Sequence, residues 1–418
     1  MQTDECRYAD QVVEYVRGGL DPAIRSVLDA HIPECGICRE AAADARDVIN
    51  RLRSDPDVAV RRDQVPLVLG RLAAGPDRIR AAWMRGLAAA AGLVLLLGGL
   101  LWMRMGGPKG PAAEDPLASA MAWMCETQEA DGSWSTARWG GRPQFEVALT
   151  GLALMAMLEG DTASGPVQSA IDRAVGYLVS KQDETGRIGP AFDAELYNQG
   201  IATLALARAC QERKTESLRV ALDRSLNRIG SLQNADGGWG YQNTVDRASN
   251  LSITLWQVEA LRLGGKLGRE SGQGQILRGL RWMTRMVSRN GSFGYRQPGD
   301  VEGKAQTLTA MGAMSLSDDV AGSLLNPEVS RAIRKEVSRL ADDPGPDMDY
   351  YRRYFLAAAL KKMGEEPLVA RQLLGLRERL IARQEAGGSN QGSWPADDQW
   401  SEAGGRVYAT AMASLALR

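Results

Sequence analysis

Histidine is nearly absent from this sequence. The chain has 418 residues and one histidine, His31, so any mechanism that needs an imidazole must use that residue or do without it. Hydrolases of the Ser-His-Asp or Cys-His type, metalloproteases with two histidines and oxygenases with histidine-rich metal sites are therefore excluded from the whole chain after His31.

Cysteine, aromatic residues and net charge are also scarce. Five cysteines at uneven spacing are too few for a disulfide scaffold, and aromatic residues make up only 6% of the chain. The formal charge of −1 leaves no basic surface for nucleic acid, so direct nucleic-acid binding is not expected. At roughly 150 residues per domain, the length predicts two or three domains.

A long uncharged run divides the chain. Residues 86–103 carry no charged side chain and would span about 27 Å as a helix, which predicts a single transmembrane helix between linkers at 56–85 and 104–115. The alternative is a buried Ala/Leu helix of a soluble core. More arginines precede the run than follow it, which predicts a bacterial cytoplasmic-membrane protein with a cytoplasmic N-terminus, an extracytoplasmic C-terminal part and membrane lipid as a partner.

The N-terminal segment concentrates soft metal ligands. His31, Cys35 and Cys38 form an H-x3-C-x2-C pattern, and Cys6 supplies a fourth ligand upstream. Tetrahedral Zn²⁺ is typically held by four such sulfur and nitrogen donors, and a unit of residues 1–55 is too small to fold without help. The sequence therefore predicts one Zn²⁺, with a chance cluster of thiols as the alternative.

At these residues the chain resembles the zinc-finger domain of bacterial anti-sigma factors. The resemblance covers roughly residues 1–50 and implies a short helical bundle around zinc that holds a sigma factor at the membrane. A sigma factor is therefore the expected cytoplasmic partner, and transcription regulation the expected process.

Beyond the linker, one turn motif recurs. Its key apolar residue is spaced by 54 (134 to 188), 51 (188 to 239), 54 (239 to 293) and 101 (293 to 394) residues, the last being two units with one degenerate turn. This predicts six repeats of about 52 residues. The key positions are Trp134, Ile188, Trp239, Phe293 and Trp394.

Each repeat predicts two helices around the turn. The first ends near a Gln, and the second is rich in small apolar residues, so the second set is placed in an inner ring. The first helices are expected at 117–128, 170–182, 222–233, 276–287 and 373–384, and the second at 146–158, 198–209, 250–263, 304–316, 350–363 and 406–417.

The strings Gln128 to Trp134 and Gln233 to Trp239 resemble the QW repeats of squalene-hopene cyclases and related prenyltransferase/squalene-oxidase-repeat proteins. The resemblance covers residues 116–418 and implies a closed (α/α)6 toroid. The expected fold is therefore all-α, with a small zinc-bound helical domain, a transmembrane helix and this toroid.

The toroid sequence lacks the catalytic motifs of that family. The nearest string to the D-x-D-D acid motif is Asp347-Met348-Asp349-Tyr350, which lacks the last carboxylate, and no histidine is present to complete a toroid zinc site. Asp397 and Asp398 resemble half of a diphosphate-binding motif but are typical of a solvated loop. Trp134, Trp239 and Trp394 belong to turns, so the sequence predicts no aromatic-lined cavity and no catalytic residue.

Polar residues recur instead where the inner helices begin. A ring of such residues at one mouth would make a ligand site, and the alternative is that they cap helices and pair with one another. The candidate ligand-binding residues are Glu146, Asn198, Asn250, Lys304, Asp347, Asp349, Tyr350, Tyr351 and Arg406.

Two functions follow from the sequence. The first is a membrane-spanning regulator that resembles a zinc-binding anti-sigma factor and whose extracytoplasmic toroid binds an unknown ligand or protein. The alternative is a membrane-tethered enzyme of the terpenoid cyclase/prenyltransferase type. The missing acid motif and the missing toroid histidine favour the first.

Overall fold

The computed structural model divides the chain into two compact units, residues 1–109 and 110–418. In the first unit the structure describes residues 6, 12–17, 22–36, 38–39, 42–43 and 46. In the second it describes 115–418 except 161–163, 242–247, 270–271, 302–303, 317–322, 344 and 346. All the regular elements of these described residues are helices, which confirms the predicted all-α fold.

The predicted transmembrane helix over 86–103 lies outside the described residues. Among the helices that are described, none combines the length and the apolar character needed to cross a bilayer. The apolar helix Glu146–Leu158, for example, has 13 residues, or about 20 Å, against about 30 Å of hydrocarbon. The predicted localisation as a single-pass membrane protein is therefore corrected, because the apolar helices of the described part are short and packed against protein.

The described part of the N-terminal unit contains helix α1, Val12–Arg17, and helix α2, Pro22–His31. Val12 and Leu28 pack from these helices into a small buried cluster with Ile32, Cys38 and Ala42. The end of α2 is thereby fixed next to the cysteine turn that follows it.

The second unit is a ring of alternating outer and inner helices. The outer helices are α3 Pro116–Thr127, α5 Gly165–Ser180, α7 Glu216–Ser231, α9 Gln273–Thr284, α11 Pro327–Asp342 and α13 Pro367–Ile381. The inner helices are α4 Glu146–Leu158, α6 Glu195–Glu212, α8 Leu251–Lys266, α10 Ala305–Leu316, α12 Tyr350–Met363 and α14 Ser401–Leu417. Each inner helix packs against the next, and α14 packs against α4, so the ring is closed.

Residue composition explains which helices lie inside. Helix α4 is almost entirely buried from Val147 to Met157, and its small Ala and Gly residues allow close packing on all sides. The outer helix α11 instead buries a single stripe of Ile333, Val337, Leu340 and Ala341 and exposes its charged face.

The recurring Gln residues join neighbouring hairpins. Gln128 donates through Nε2 to the carbonyl of Gly132 in its own turn (3.0 Å) and to that of Ala170 in the next outer helix (2.9 Å). Gln384 makes the same pair of bonds, to Gly392 (2.8 Å) and to Pro116 of the first hairpin (2.7 Å). The Gln of the last repeat therefore closes the ring onto the first.

The turn glycine is required by both backbone and space. Gly132 has φ of +94°, a conformation that side chains rarely adopt, and a Cβ there would lie 2.2 Å from the carbonyl oxygen of Arg173. Trp134 follows, fully buried, and donates its indole N–H to the carbonyl of Met124 (3.0 Å). The predicted structural role of the turn Trp residues is seen here.

Candidate functional site

A central cavity of about 360 Å³ opens at one end of the inner ring. Its lining residues lie near the N-terminal ends of the inner helices or in the turns that precede them. The aliphatic part of the wall comes from Leu149, Leu152, Ile201, Leu308 and Met311. The cavity is therefore predominantly apolar.

Aromatic residues supply much of the remaining wall. Their rings pack against one another, as in Tyr351 with Trp400, whose ring centroids are 5.5 Å apart. The expectation that aromatic residues would be confined to the turns is corrected, because a small total is concentrated around one space. The cavity aromatics are Phe145, Tyr197, Tyr241, Tyr295, Tyr351, Trp400 and Tyr408.

The tyrosine hydroxyls are held by neighbours in the wall. Ser252 donates to Asn250 (3.0 Å), so Tyr197 is the donor in its 2.7 Å contact with Ser252. The hydroxyl of Tyr351 accepts the indole N–H of Trp256 (2.6 Å), which leaves its own proton available to the cavity. Burial raises the pKa of Tyr351 well above its usual range, so this hydroxyl stays neutral.

A second, polar pocket of about 610 Å³ lies beside the cavity wall and includes Asp347, Asp349, Asp397 and Asp398. Asp349 caps α12 by accepting the Arg352 N–H (2.8 Å). It also accepts bonds from two residues of the cavity wall, Thr307 (2.8 Å) and Trp400 (3.2 Å). Asp349 thus stands directly behind the cavity wall.

Asp398 is linked to the cavity through a tyrosine. Tyr408, which lines the cavity, donates its hydroxyl to Asp398 Oδ2 (2.9 Å). Burial raises the pKa of Asp398 above its usual value, against the lowering effect of hydrogen bonds from Ser401, Tyr408 and the Tyr350 N–H. Asp398 is thus a carboxyl of raised pKa that a single tyrosine hydroxyl connects to the cavity.

Of the predicted ligand-binding residues, Lys304 and Tyr351 line the cavity. Asp347 and Asp349 line the polar pocket instead. Tyr350 is buried, and its hydroxyl is 3.4 Å from Asp397. The predicted ring of polar residues is therefore divided between two spaces.

The other predicted residues are used within the fold. Glu146 accepts the hydroxyl of Tyr177 (2.8 Å), and Asn198 bridges two hairpins by accepting the Ala148 N–H (3.0 Å). Asn250 caps α8, and Arg406 donates to Ser393 Oγ (3.0 Å). These four residues therefore follow the alternative interpretation of the sequence, in which the polar residues cap helices and pair with other protein groups.

Sequence reasoning missed six of the seven cavity aromatics, all except Tyr351. One signal could have identified two of them, since Tyr241 and Tyr295 each follow a turn aromatic and a glycine, in Trp239-Gly-Tyr and Phe293-Gly-Tyr. The turn motif therefore places a tyrosine at the inner face in two successive repeats.

The four predicted metal ligands converge in the N-terminal unit. One ligand atom from each of Cys6, His31, Cys35 and Cys38 lies within 4.8 Å of the others, and Cys6 Sγ is 3.1 Å from His31 Nε2. Burial, together with the adjacent Cys6 and Cys35 sulfurs, raises the pKa of Cys38 to about 12. The group could hold a metal ion, and a divalent cation would stabilise the thiolates.

Comparisons with solved structures identify the second unit as an α/α toroid. An α-amylase from Clostridium perfringens aligns with a TM-score of 0.53 at 10% identity, over 74% of this chain and 98% of that one. An inactive α-1,6-mannanase variant from Salegentibacter in complex with α-1,6-mannotriose gives 0.52 at 10% identity, over 72% and 98%. A type II terpene cyclase from Scytonema gives 0.48 at 15% identity, over 72% and 96%.

At these identities the likeness concerns the fold alone. No family model matches the chain, and no curated protein does. Function must therefore be argued from the cavity and the metal group.

Proposed function

We propose that the toroid is a terpenoid cyclase-like domain that takes an apolar, isoprenoid-class molecule into its central cavity. The observation that carries this proposal is the cavity wall, which combines aliphatic side chains with seven aromatic rings. Burial of hydrocarbon against such a wall is favourable at about 25 cal/mol per Å² of apolar surface. The proposal corresponds to the enzyme-type alternative of the sequence analysis rather than to its first function.

The same wall disfavours a carbohydrate substrate. Glycoside hydrolysis needs two carboxyl groups that flank the scissile bond, and among the described residues that line the cavity none is Asp or Glu. Sugar hydroxyls would also require many polar partners, whereas the aliphatic wall offers none. The fold shared with the amylase and the mannanase therefore does not by itself indicate a carbohydrate ligand for this cavity.

Acid-initiated cyclisation is a second candidate function, favoured by the contact between Tyr408 and Asp398. A protonated Asp398 can donate to the Tyr408 oxygen, and Tyr408 can then pass its own proton to a substrate alkene. The positive charge would move to substrate carbon, where the rings of Tyr351 and Trp400 offer their faces. Transfer of a proton from the final cation to the Tyr408 oxygen, with the Tyr408 proton passing back to Asp398, would restore the starting state.

Ligand uptake is tested by equilibrium binding of tritiated geranylgeraniol to the purified chain. We expect saturable binding, and we expect Leu308→Trp to weaken it at least about tenfold because the larger side chain fills the cavity. The matched control is Leu374→Trp, at an outer position that is 55% exposed. Mannotriose should not compete; competition by mannotriose, or equal binding by both variants, would contradict the proposal.

For the N-terminal unit we propose Zn²⁺ as the metal and Cys6, His31, Cys35 and Cys38 as its ligands. The three sulfurs and one imidazole nitrogen are the donors that tetrahedral zinc prefers. Zinc would supply folding free energy to a described core of only five buried side chains. A sigma factor as the partner of this unit is a proposal that depends on the motif resemblance alone.

A further inference from the structure

We propose that the ligand of the central cavity is an amphiphile with an anionic head, carboxylate or phosphate, that pairs with Lys304. This inference rests on the proposed function and narrows it from isoprenoid-class molecules in general to those that carry a negative charge at one end. The inference starts from the charged residues of the cavity wall. Among the described lining residues, these are Arg142 and Lys304, both cations.

Among the described residues of the wall, Lys304 is the cation for which no carboxylate partner is seen. Its ammonium nitrogen lies 4.8 Å from the centre of the Trp400 ring, and within the described part of the chain no carboxylate is at ion-pair distance from it. The other lining cation, Arg142, pairs with Glu402 at the surface. An ammonium beside an apolar space is therefore available to a ligand.

Asp349, which lies behind the cavity wall, is already occupied by hydrogen-bond donors. Asp349 accepts four hydrogen bonds, from Thr307, Gln399, Trp400 and the Arg352 N–H. Trp400 contacts both groups, since its indole N–H donates to Asp349 and its ring centre lies 4.8 Å from the Lys304 ammonium. Asp349 is thus held by other donors, whereas Lys304 lines the cavity.

Backbone charge adds to that of Lys304. Lys304 immediately precedes α10, and Thr307 and Leu308 in the first turn of that helix also line the cavity. The N-terminal end of a helix carries a partial positive charge, which favours an anion placed there. Because the lining residues of all the inner helices lie near their N-terminal ends, this contribution is repeated around the ring.

The apolar wall sets the orientation of the ligand. Lys304 lies before the first turn of α10, whereas Met311 is two turns further along the same helix. Leu152 and Ile201 occupy similarly deeper positions on α4 and α6. An anionic head at Lys304 would thus direct a hydrocarbon chain into the ring.

The test compares ligands that differ only in the head. We would measure binding of geranylgeraniol, geranylgeranoic acid and geranylgeranyl monophosphate to the full chain, each below its critical micelle concentration. We expect the acid, the phosphate or both to bind at least about tenfold more tightly than the alcohol, a difference of about 1.4 kcal/mol. The two anionic ligands distinguish a carboxylate from a phosphate as the natural head.

The variants assign the preference to one side chain. Lys304→Met should abolish the preference for the anionic ligands over geranylgeraniol, measured as the ratio of the two affinities in the same variant, and Lys304→Arg should retain it. The matched control is Lys181→Met, since Lys181 also lies over an aromatic ring, that of Tyr177 (4.8 Å), but outside the cavity lining.

Three results would overturn the inference. Equal affinity for alcohol and anions, or an unchanged preference in Lys304→Met, would contradict it while leaving the proposed function intact. Failure of all three ligands to bind would refute the proposed function and this inference together.

Discussion

At the scale of single residues, the pair of Asp398 and Tyr408 decides whether the cavity can do acid chemistry. Four hydrogen bonds to Asp398, from Tyr350, Tyr408, Ser401 and the Trp400 N–H, favour its ionised form. Burial favours the neutral form and is the larger effect, because the net result is a raised pKa. The protonated acid therefore persists to a higher pH than an exposed Asp would allow.

Tyr408→Phe removes the only hydroxyl that joins this acid to the cavity. If the toroid cyclises a polyene, we expect turnover to fall by about 10²–10⁴, the usual contribution of a general acid, with a stability loss of about 1 kcal/mol. Turnover by the unmodified chain should decline as the pH rises through the raised pKa of Asp398, because the proton is then lost. Gas chromatography of the products measures both effects.

Tyr177→Phe is the control for this experiment. Tyr177 also donates its hydroxyl to a carboxylate, that of the half-buried Glu146, but Tyr177 lies outside the cavity lining. Full turnover by Tyr408→Phe, or an equal loss in the control, would show that the Tyr408 hydroxyl is not part of the reaction.

Only part of the candidate site could be predicted from the sequence, because only some of its residues have a recognisable position in the repeat. Lys304 and Tyr351 were predicted because they begin inner helices, a property that the repeat period reveals. Tyr197 and Tyr408 carry no such signal, since whether a buried tyrosine faces the cavity or the outer helices depends on how the ring closes. The sequence predicts a solvated loop at Asp397 and Asp398, but Asp398 is buried, with 8% of its surface exposed.

At the scale of elements, the repeat period was sufficient to predict where the inner helices lie in the sequence. The bounds 146–158 and 350–363 agree with those of α4 and α12. The outer helix α11, Pro327–Asp342, was not among the predicted helices because its repeat lacks the Gln and the turn aromatic. Its Asn326 cap and its single apolar stripe were the available signals.

Helix α14 shows what periodicity misses. The predicted start at 406 follows a kink at Gly405, whose φ of +62° and ψ of −160° are not helical, and the structure extends the helix back to Ser401. This extra turn brings Ala403 and Gly404 to the cavity wall. Only glycine adopts this conformation readily, so the kink itself is encoded locally.

The metal group is tested at the level of α2 and the cysteine turn after it. We expect about one zinc ion per full-length chain, and we expect Cys35→Ser combined with Cys38→Ser to abolish it, because two of four ligands are lost. The thermal transition of the toroid should be unchanged. Elemental analysis and calorimetry measure the two quantities.

Cys125→Ser combined with Cys210→Ser is the matched control, since both cysteines lie in toroid helices and neither belongs to the metal group. This variant should keep its zinc. Retention of zinc by the Cys35/Cys38 variant would exclude the proposed ligand set.

At the scale of the whole molecule, the side-by-side packing of the hairpins both closes the ring and forms the cavity. The Gln bonds link the first four hairpins in order, and Gln384 links the last hairpin to Pro116 of the first, which helps to hold the inner helices side by side. Small residues in helices such as α4 allow close packing, while aromatic residues near the N-terminal ends of the inner helices and in the preceding turns line the cavity. A closed ring of this kind therefore contains an apolar space at one end.

The most direct test of the central claim is photolabelling of the full chain with a geranylgeraniol analogue that carries a diazirine at the tail, followed by peptide mapping. The account predicts labels in the second turns of α4, α6 and α10, around Leu152, Ile201 and Met311, competed away by excess geranylgeraniol. Labels confined to exposed outer positions such as Leu368, Leu374 and Ile381, or labels that excess ligand does not reduce, would contradict the account.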